Sequence, residues 1–270
     1  MANRIEERLA KQKAAGKKSF VTYITAGLPD MDRCMGLVKA QEEAGIDIIE
    51  LGIPFSDPTA DGPVIQDASY RSIQKGTTLR KVFNAVKGLR ADGCEVPLVF
   101  MMYYNTILHY GIDAFAKSCR EIGVDGLIVP DLPYEEQADL KEALKKEEDA
   151  TILIQLVSPV SGKRIPMLTK DARGFIYCVS AMGVTGQEGK FYRTITDYLK
   201  QVKEASDIPV FMGFGIQTAK DIEPMKDIID GAIVGSHFIR LMEKNNYSLD
   251  VAKDYIRTFK EEMNASIFKA

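Results

Sequence analysis

The chain is poor in the groups that metal and redox chemistry draw on. It has two histidines, His109 and His237, and four cysteines in 270 residues. Two imidazoles are too few for the imidazole-rich site of a metal-dependent aldolase, so no metal is expected. Cys34, Cys94, Cys119 and Cys178 form no Cys-x-x-Cys pair and read as reduced, structural thiols in a cytosolic protein. Cys178 lies in an apolar run, an ordinary place for a small buried thiol. No basic block stands out, and the net charge of -3 argues against a nucleic-acid or anionic-membrane partner. The N-terminal MANRIEERLAKQKAAGKK lacks an apolar h-region, and Glu6 and Glu7 argue against a transit peptide. No apolar stretch approaches the length of a membrane span, so the expected location is cytoplasmic. Nor is there a linker: Gly and Pro are spread along the chain. With 46% hydrophobic residues the reading is one domain, 1–270.

Eight short β-type runs are present. They begin at Phe20, Asp47, Pro97, Gly126, Thr151, Gly174, Pro209 and Gly231, with helical stretches between them. One helix is predicted from about Asp30 to a terminating Gly45. Another follows Asp131, opening with Glu135 and Glu136, ending near Lys145 and Lys146, and burying Leu140, Ala143 and Leu144. Pro224 should shorten or kink the helix before the eighth strand. The N-terminus reads as an amphipathic helix with Ile5 and Leu9 on one face. The pattern predicts a (β/α)8 TIM barrel with an N-terminal helix and extra helices in the long βα loops. A doubly wound open sheet is the alternative. It needs a Gly-rich nucleotide turn after the first strand, and Thr25–Asp30 is not that pattern. Two connections are long: the one after the second strand, and Met182–Arg193 after the sixth, with three glycines. In a barrel both lie at the face that carries active sites, and such loops are candidate lids.

Within the second run, Ile49, Leu51 and Ile53 form one face and Ile48, Glu50 and Gly52 the other. The second set is expected to face the barrel interior. Buried parallel strands read as near-continuous aliphatic residues, so Glu50 needs explaining. A carboxylate there is costly unless paired, protonated or useful. Desolvation would raise its pKa towards a useful acid/base range. The strand then breaks at Pro54 into a loop carrying Asp57 and Asp61. An Asp in such a loop most often stabilises a turn. Asp61 gains weight because Gly62-Pro63 ends the loop and could present it over Glu50.

At the other side of the barrel, Gly213–Ile216 ends the seventh strand, Gly235-Ser236 the eighth, and Gly186 lies after the sixth. Barrels often bind phosphate with the loops after strands seven and eight and a helix N-terminus. Ser236 is expected to cap that helix and donate to the phosphate. His237 reads as a surface or capping residue. No strand run contains a lysine, which argues against a Schiff-base aldolase. What remains is acid/base catalysis by carboxylates on a phosphorylated substrate, in a pocket lined by Tyr23, Met101, Tyr103, Tyr177 and Phe214.

These motifs resemble the tryptophan synthase α subunit family. ELGIPFSDPTADGPVIQ from Glu50, MMYYN, GVDGLIVPDLP, VSAMGVTG and GFGI occur in that family's order, from Ser19 to about Leu241. The resemblance implies retro-aldol cleavage of indole-3-glycerol phosphate to indole and glyceraldehyde 3-phosphate. It implies that Glu50 protonates the indole ring carbon and removes the glycerol hydroxyl proton, while Asp61 holds the indole N–H. It assigns phosphate to Gly186, Gly215, Gly235 and Ser236, and a lid contact with Asp61 to Thr185. It further implies a β-subunit partner in an α2β2 heterotetramer. That partner carries pyridoxal phosphate, so this chain needs no cofactor, and Asp57 and Asn105 would lie near the partner. The chain departs from familiar members at Ala181-Met182, Thr59 and Gln155–Ile165. Two further readings stand beside the lyase: a silent partner that mainly activates a β subunit, and another phosphosugar barrel enzyme such as an isomerase.

Overall fold

The eight apolar runs assemble into one parallel ring. The computed structural model describes residues 3–148, 150–179, 188–213 and 215–265, and for 188–194 the backbone alone. Its strands are β1 (Ser19–Thr25), β2 (Ile48–Gly52), β3 (Leu98–Met101), β4 (Gly126–Ile128), β5 (Ile152–Leu153), β6 (Gln155–Val157), β7 (Ile176–Cys178), β8 (Val210–Met212) and β9 (Gly231–Val234). They pair in the order β5-β4-β3-β2-β1-β9-β8-β7-β6. β5 and β6 are two halves of the fifth run. β5 pairs with β4 and β6 with β7, and Ile154 between them donates its N–H to the Leu127 carbonyl at 2.9 Å. Strands of a closed barrel are staggered, so this strand serves one neighbour with its first half and the other with its second. The fold is the expected (β/α)8 barrel.

The helices are α1 (Arg4–Ala14), α2 (Met31–Glu43), α3 (Pro63–Gln74), α4 (Leu79–Ala91), α5 (Tyr104–Tyr110), α6 (Ile112–Ile122), α7 (Ala138–Lys146), α8 (Ile165–Lys170), α9 (Glu188–Glu204), α10 (Ser236–Lys244) and α11 (Leu249–Ala265). α3 is the extra helix of the long second connection. α2 starts where sequence placed it: Asp30 accepts the Arg33 N–H at 2.9 Å, and Gly45 follows the helix at φ +84. One helix differs from expectation, and one is disrupted as Pro224 foretold. The segment after Asp131 is split into a 3-10 turn (Tyr134–Glu136) and α7, although Leu140, Ala143 and Leu144 are buried as foreseen. Around Pro224 the whole of Ala219–Met225 is 3-10 helix, because proline cannot donate to an α ladder.

Side chains divide between two cores. Ile49, Leu51 and Ile53 pack outward against the helices. Ile48 faces inward with Val21, Val99, Ile128, Phe175 and Phe211. The rings of Phe175 and Phe211 stack at 4.5 Å. Ile5 and Leu9 of α1 join this inner core, so the amphipathic helix closes the N-terminal end of the barrel. The strand alternation therefore carries Glu50 and Gly52 to the opposite, C-terminal end.

Candidate active site

Glu50 sits in the middle of β2, level with Tyr23 on β1 and Val99 on β3. It is 1% exposed, and its Oε1 has no hydrogen-bond partner among the described residues. Burial pushes its carboxyl up to about 8. At neutral pH it therefore holds its proton.

Asp61 reaches the same end from the loop between β2 and α3. Turn bonds shape this loop: Thr59 N–H to Asp57 O at 2.9 Å and Asp61 N–H to Pro58 O at 3.2 Å. Gly62 then caps α3 and Pro63 takes its first position, where a missing N–H costs nothing. The Tyr103 hydroxyl donates to Asp61 Oδ2 at 3.0 Å and accepts the Ala60 N–H at 2.9 Å. The Tyr103 ring stacks on Phe55 with centroids 4.9 Å apart. Burial raises the Asp61 carboxyl to about 6, and the Tyr103 hydroxyl holds it down. The two carboxyls thus differ at neutral pH: Glu50 is mainly protonated and Asp61 mainly ionised.

Tyr23 and Tyr177 each interact electrostatically with both carboxyls. Burial raises both phenols, and both carboxylates raise them further. Their placement depends on two glycines that sequence reasoning did not single out for this. A Cβ on Gly52 would lie 1.9 Å from the Tyr23 hydroxyl, and one on Gly213 would lie 2.6 Å from that of Tyr177. The available signal was a glycine at an inward strand position one strand away from an inward tyrosine. Met101 ends β3 half-buried, packed both on the inner core and on a small third cluster of Tyr23, Leu28, Ala68 and Ile239.

The phosphate candidates flank this pocket. Gly215 is exposed at φ +66, with open space around the position of a Cβ. Gly235 is the N-cap of α10 and Ser236 its first helical residue, with no side-chain cap bond. The expectation that Ser236 caps the helix is therefore corrected: Gly235 occupies the cap, one residue earlier. The first-turn N–H groups of α10 have no partner within the helix, which is the arrangement that attracts anions. His237 is half-buried and packs against Tyr255 at 5.6 Å, so it is a partly exposed surface residue and not the cap. Gly186, Thr185 and Phe214 lie outside the described residues, as does Met182–Gln187 of the candidate lid.

Asp57 and Asn105 do not join the pocket. Both are exposed on the same end of the barrel; Asp57 accepts the Ser56 hydroxyl at 2.5 Å, and Asn105 lies in the first turn of α5. A cavity of about 730 Å³ opens at the other end, lined by Lys18, Lys203, Lys226, Asp227 and Asp230 among others. Lys203 and Lys226 there are paired, with Asp230 and Glu223 at 2.5 Å each. None of the candidate residues lines it. Among the described residues no cluster of His, Cys, Asp and Glu could hold a metal, and no helix is long and apolar enough to cross a membrane.

The sequence matches the model of the family described as tryptophan synthase alpha chain over residues 9–268. It is 61% identical to the tryptophan synthase alpha chain of Lachnospira eligens, over 97% of this chain and 100% of that one. It is 42% identical to that of Thermoanaerobacter sp. (strain X514), over 96% and 99%. The fold is similar to the crystal structure of tryptophan synthase subunit alpha from Legionella pneumophila, with a TM-score of 0.88, 32% identity, and 98% and 100% of the two chains covered. Fold, motif order and near-complete overlap agree: the chain belongs to the tryptophan synthase alpha chain family.

Proposed function

We propose that the chain cleaves indole-3-glycerol phosphate to indole and glyceraldehyde 3-phosphate, the carbon–carbon lyase half-reaction of tryptophan synthase in the last stage of tryptophan biosynthesis. The observation that carries this reading is Glu50: a buried carboxyl raised to about 8, with an oxygen lacking any partner among the described residues. A carboxylic acid that keeps its proton at neutral pH can give it to carbon. In this mechanism Glu50 protonates the indole ring carbon that bears the glycerol chain. Positive charge then develops on the ring nitrogen, and ionised Asp61 accepts the N–H and stabilises it. The Glu50 carboxylate next removes the proton of the adjacent glycerol hydroxyl. The carbonyl forms, the carbon–carbon bond breaks, and its electron pair returns to the ring to release indole. Glu50 ends protonated, as it began, so the cycle needs neither a lysine nor a metal.

Tyr23, Met101, Tyr103, Tyr177 and Phe214 are read as the walls of the indole pocket. Gly186, Gly215, Gly235 and Ser236 are read as the phosphate site, with Thr185 reaching Asp61 from the lid. The partner is read as a β subunit carrying pyridoxal phosphate, in an α2β2 assembly in which exposed Asp57 and Asn105 lie near the partner. The location is read as the cytoplasm and the chain as one domain without a cofactor of its own. The test is indole release from indole-3-glycerol phosphate by the purified chain, alone and with a β subunit. Release in either case supports the lyase; none in both overturns it in favour of a silent or isomerase role.

A further inference from the structure

The candidate phosphate site has two arms that come from different elements: the Gly215 loop after β8 and the first turn of α10. Gly215, Gln217 and Thr218 are exposed, and a glycine at positive φ gives this loop little stiffness of its own. Its order must come from what holds it behind.

Two side chains hold it. The Asp221 carboxylate accepts three donors: the Gln217 N–H at 2.9 Å, the Thr218 N–H at 2.8 Å and the Thr218 hydroxyl at 3.2 Å. The Asp221 N–H returns a bond to Thr218 O at 3.1 Å. On the other side, the Tyr255 hydroxyl of α11 donates to Gln217 O at 2.7 Å. Both polar backbone groups of Gln217, two residues after Gly215, are therefore pinned. The ring of Tyr255 is itself fixed, with centroids 5.6 Å from both His237 and Phe238 and 6.2 Å from Phe20. His237 and Phe238 follow Ser236 directly in the first turn of α10. One side chain thus touches both arms, bonding the loop with its hydroxyl and packing on the helix with its ring.

We propose that Tyr255 and Asp221 are positioning residues that set the spacing between the Gly215 loop and the start of α10, and so the affinity of the site for a phosphate monoester. This rests on reading Gly215, Gly235 and Ser236 as the phosphate site. Neither residue touches the reacting carbons, so the effect belongs in substrate binding rather than in turnover.

The experiment compares Tyr255→Phe, Asp221→Asn and Ser236→Ala in the full chain, using inorganic phosphate as the binding probe and indole as the phosphate-free control. Tyr255→Phe keeps the ring packing and removes one hydrogen bond. It should weaken phosphate binding and raise KM by about three- to tenfold, the worth of one such bond. kcat, indole binding and the melting temperature should hold. Asp221→Asn should act in the same direction, with the same separation of KM from kcat. If Ser236→Ala weakens phosphate binding while Tyr255→Phe and Asp221→Asn leave it unchanged, the positioning role is wrong and the phosphate site stands. Unchanged affinity in all three variants overturns the phosphate reading and the proposal with it. A fall in kcat and melting temperature without any change in phosphate affinity makes both residues structural and also overturns the proposal.

Discussion

Two buried carboxylates on one strand run have opposite surroundings. Asp47 immediately precedes β2 at the N-terminal end of the barrel, and Glu50 lies three residues on, towards the C-terminal end. Asp47 is fully buried and fully engaged: Gln12 at 2.6 Å, Lys260 at 2.7 Å and the Phe20 N–H at 2.8 Å all donate to it. Asp125, before β4, repeats the pattern with Arg90, Arg4 and the Leu98 N–H. Glu50 is as buried, yet burial is the only influence on its pKa, where Arg90, Arg4 and the Leu98 N–H offset it at Asp125, and one oxygen lacks a partner among the described residues. A buried charge matched by donors holds elements together; a buried acid left unmatched is a costly group retained for chemistry. The N-terminal end invests in latching, through Arg4 and Gln12 of α1. The C-terminal end keeps its carboxyls available.

The sharpest test of this contrast is Glu50→Gln. Indole release should fall by about a thousandfold or more, within the range for loss of a general acid that also serves as base, while phosphate binding persists. Activity near the original level would remove Glu50 from the mechanism. Stability should move the other way. The Glu50 carboxyl is at about 8 in the folded chain against 4.5 for the ordinary value. Below 4.5 both states hold the proton. Between 4.5 and 8 the unfolded chain releases it and the folded chain does not, so this group weakens folding as pH rises through that window. Melting curves at pH 4 and pH 8 should therefore show Glu50→Gln gaining on the parent at the higher pH. Parallel curves would mean that Glu50 is already ionised when folded.

At the other end, Asp125→Ala tests whether paired carboxylates serve only the fold. Removing Asp125 leaves largely buried Arg90 with the carbonyls of Cys94, Val96 and Gly123 but without its carboxylate partner, and breaking such a pair costs about 3–5 kcal/mol. Denaturant unfolding should show this loss, while kcat at low temperature stays near the parent value. A large kcat loss with unchanged stability would break the division between the two ends.

Much of this contrast was open to reading from the residues, and part of it was not. Alternation in DIIELGI placed Ile48, Glu50 and Gly52 inward, because a strand has a strict period of two. The eight runs announced the barrel because each interrupts a helical period. What stayed hidden depends on partners distant in the chain. Tyr103 and Asp61 are 42 residues apart, and nothing local joins them. Ser236 as a cap followed general preference, but the chain enters α10 one residue earlier, through Gly235. The latching aspartates left a signal that went unread. Asp47, Asp125 and Asp230 each stand just before a strand, and each accepts an N–H from the first or second residue of the preceding one: Phe20, Leu98 and Val210. An Asp repeated at strand entrances is a sequence pattern with a physical cause.

The open space at the C-terminal end is itself maintained, and Gly52→Ala tests how. The new methyl would sit 1.9 Å from the Tyr23 hydroxyl, so that ring must move. The fold can yield by shifting the far end of a side chain, at a cost of about 1–3 kcal/mol. Catalysis is less tolerant: displacing a pocket wall by about 1 Å can cost about a hundredfold in kcat/KM. The variant should therefore fold and turn over poorly. Normal turnover would show that Tyr23 does not shape the substrate site.

Asp61 falls between the two classes, and the smallest expected effect probes it. It is half-buried and has one side-chain donor among the described residues, the Tyr103 hydroxyl at 3.0 Å. Burial raises its carboxyl to about 6 and that donor pulls it down. Asp61 is needed ionised, so kcat/KM should fall as pH drops through about 6. Tyr103→Phe keeps the stacking on Phe55 and deletes only the donor. The rate at the optimum should drop about tenfold, the lower end of the worth of one hydrogen bond to a charged group. The informative change is in the profile: a carboxylate that loses its donor ionises less readily, so the acid limb should move to higher pH. An acid limb that stays in place would mean that the Tyr103 bond does not tune Asp61. A limb unmoved even in Asp61→Asn would assign that ionisation to another group and leave Asp61 as a turn residue.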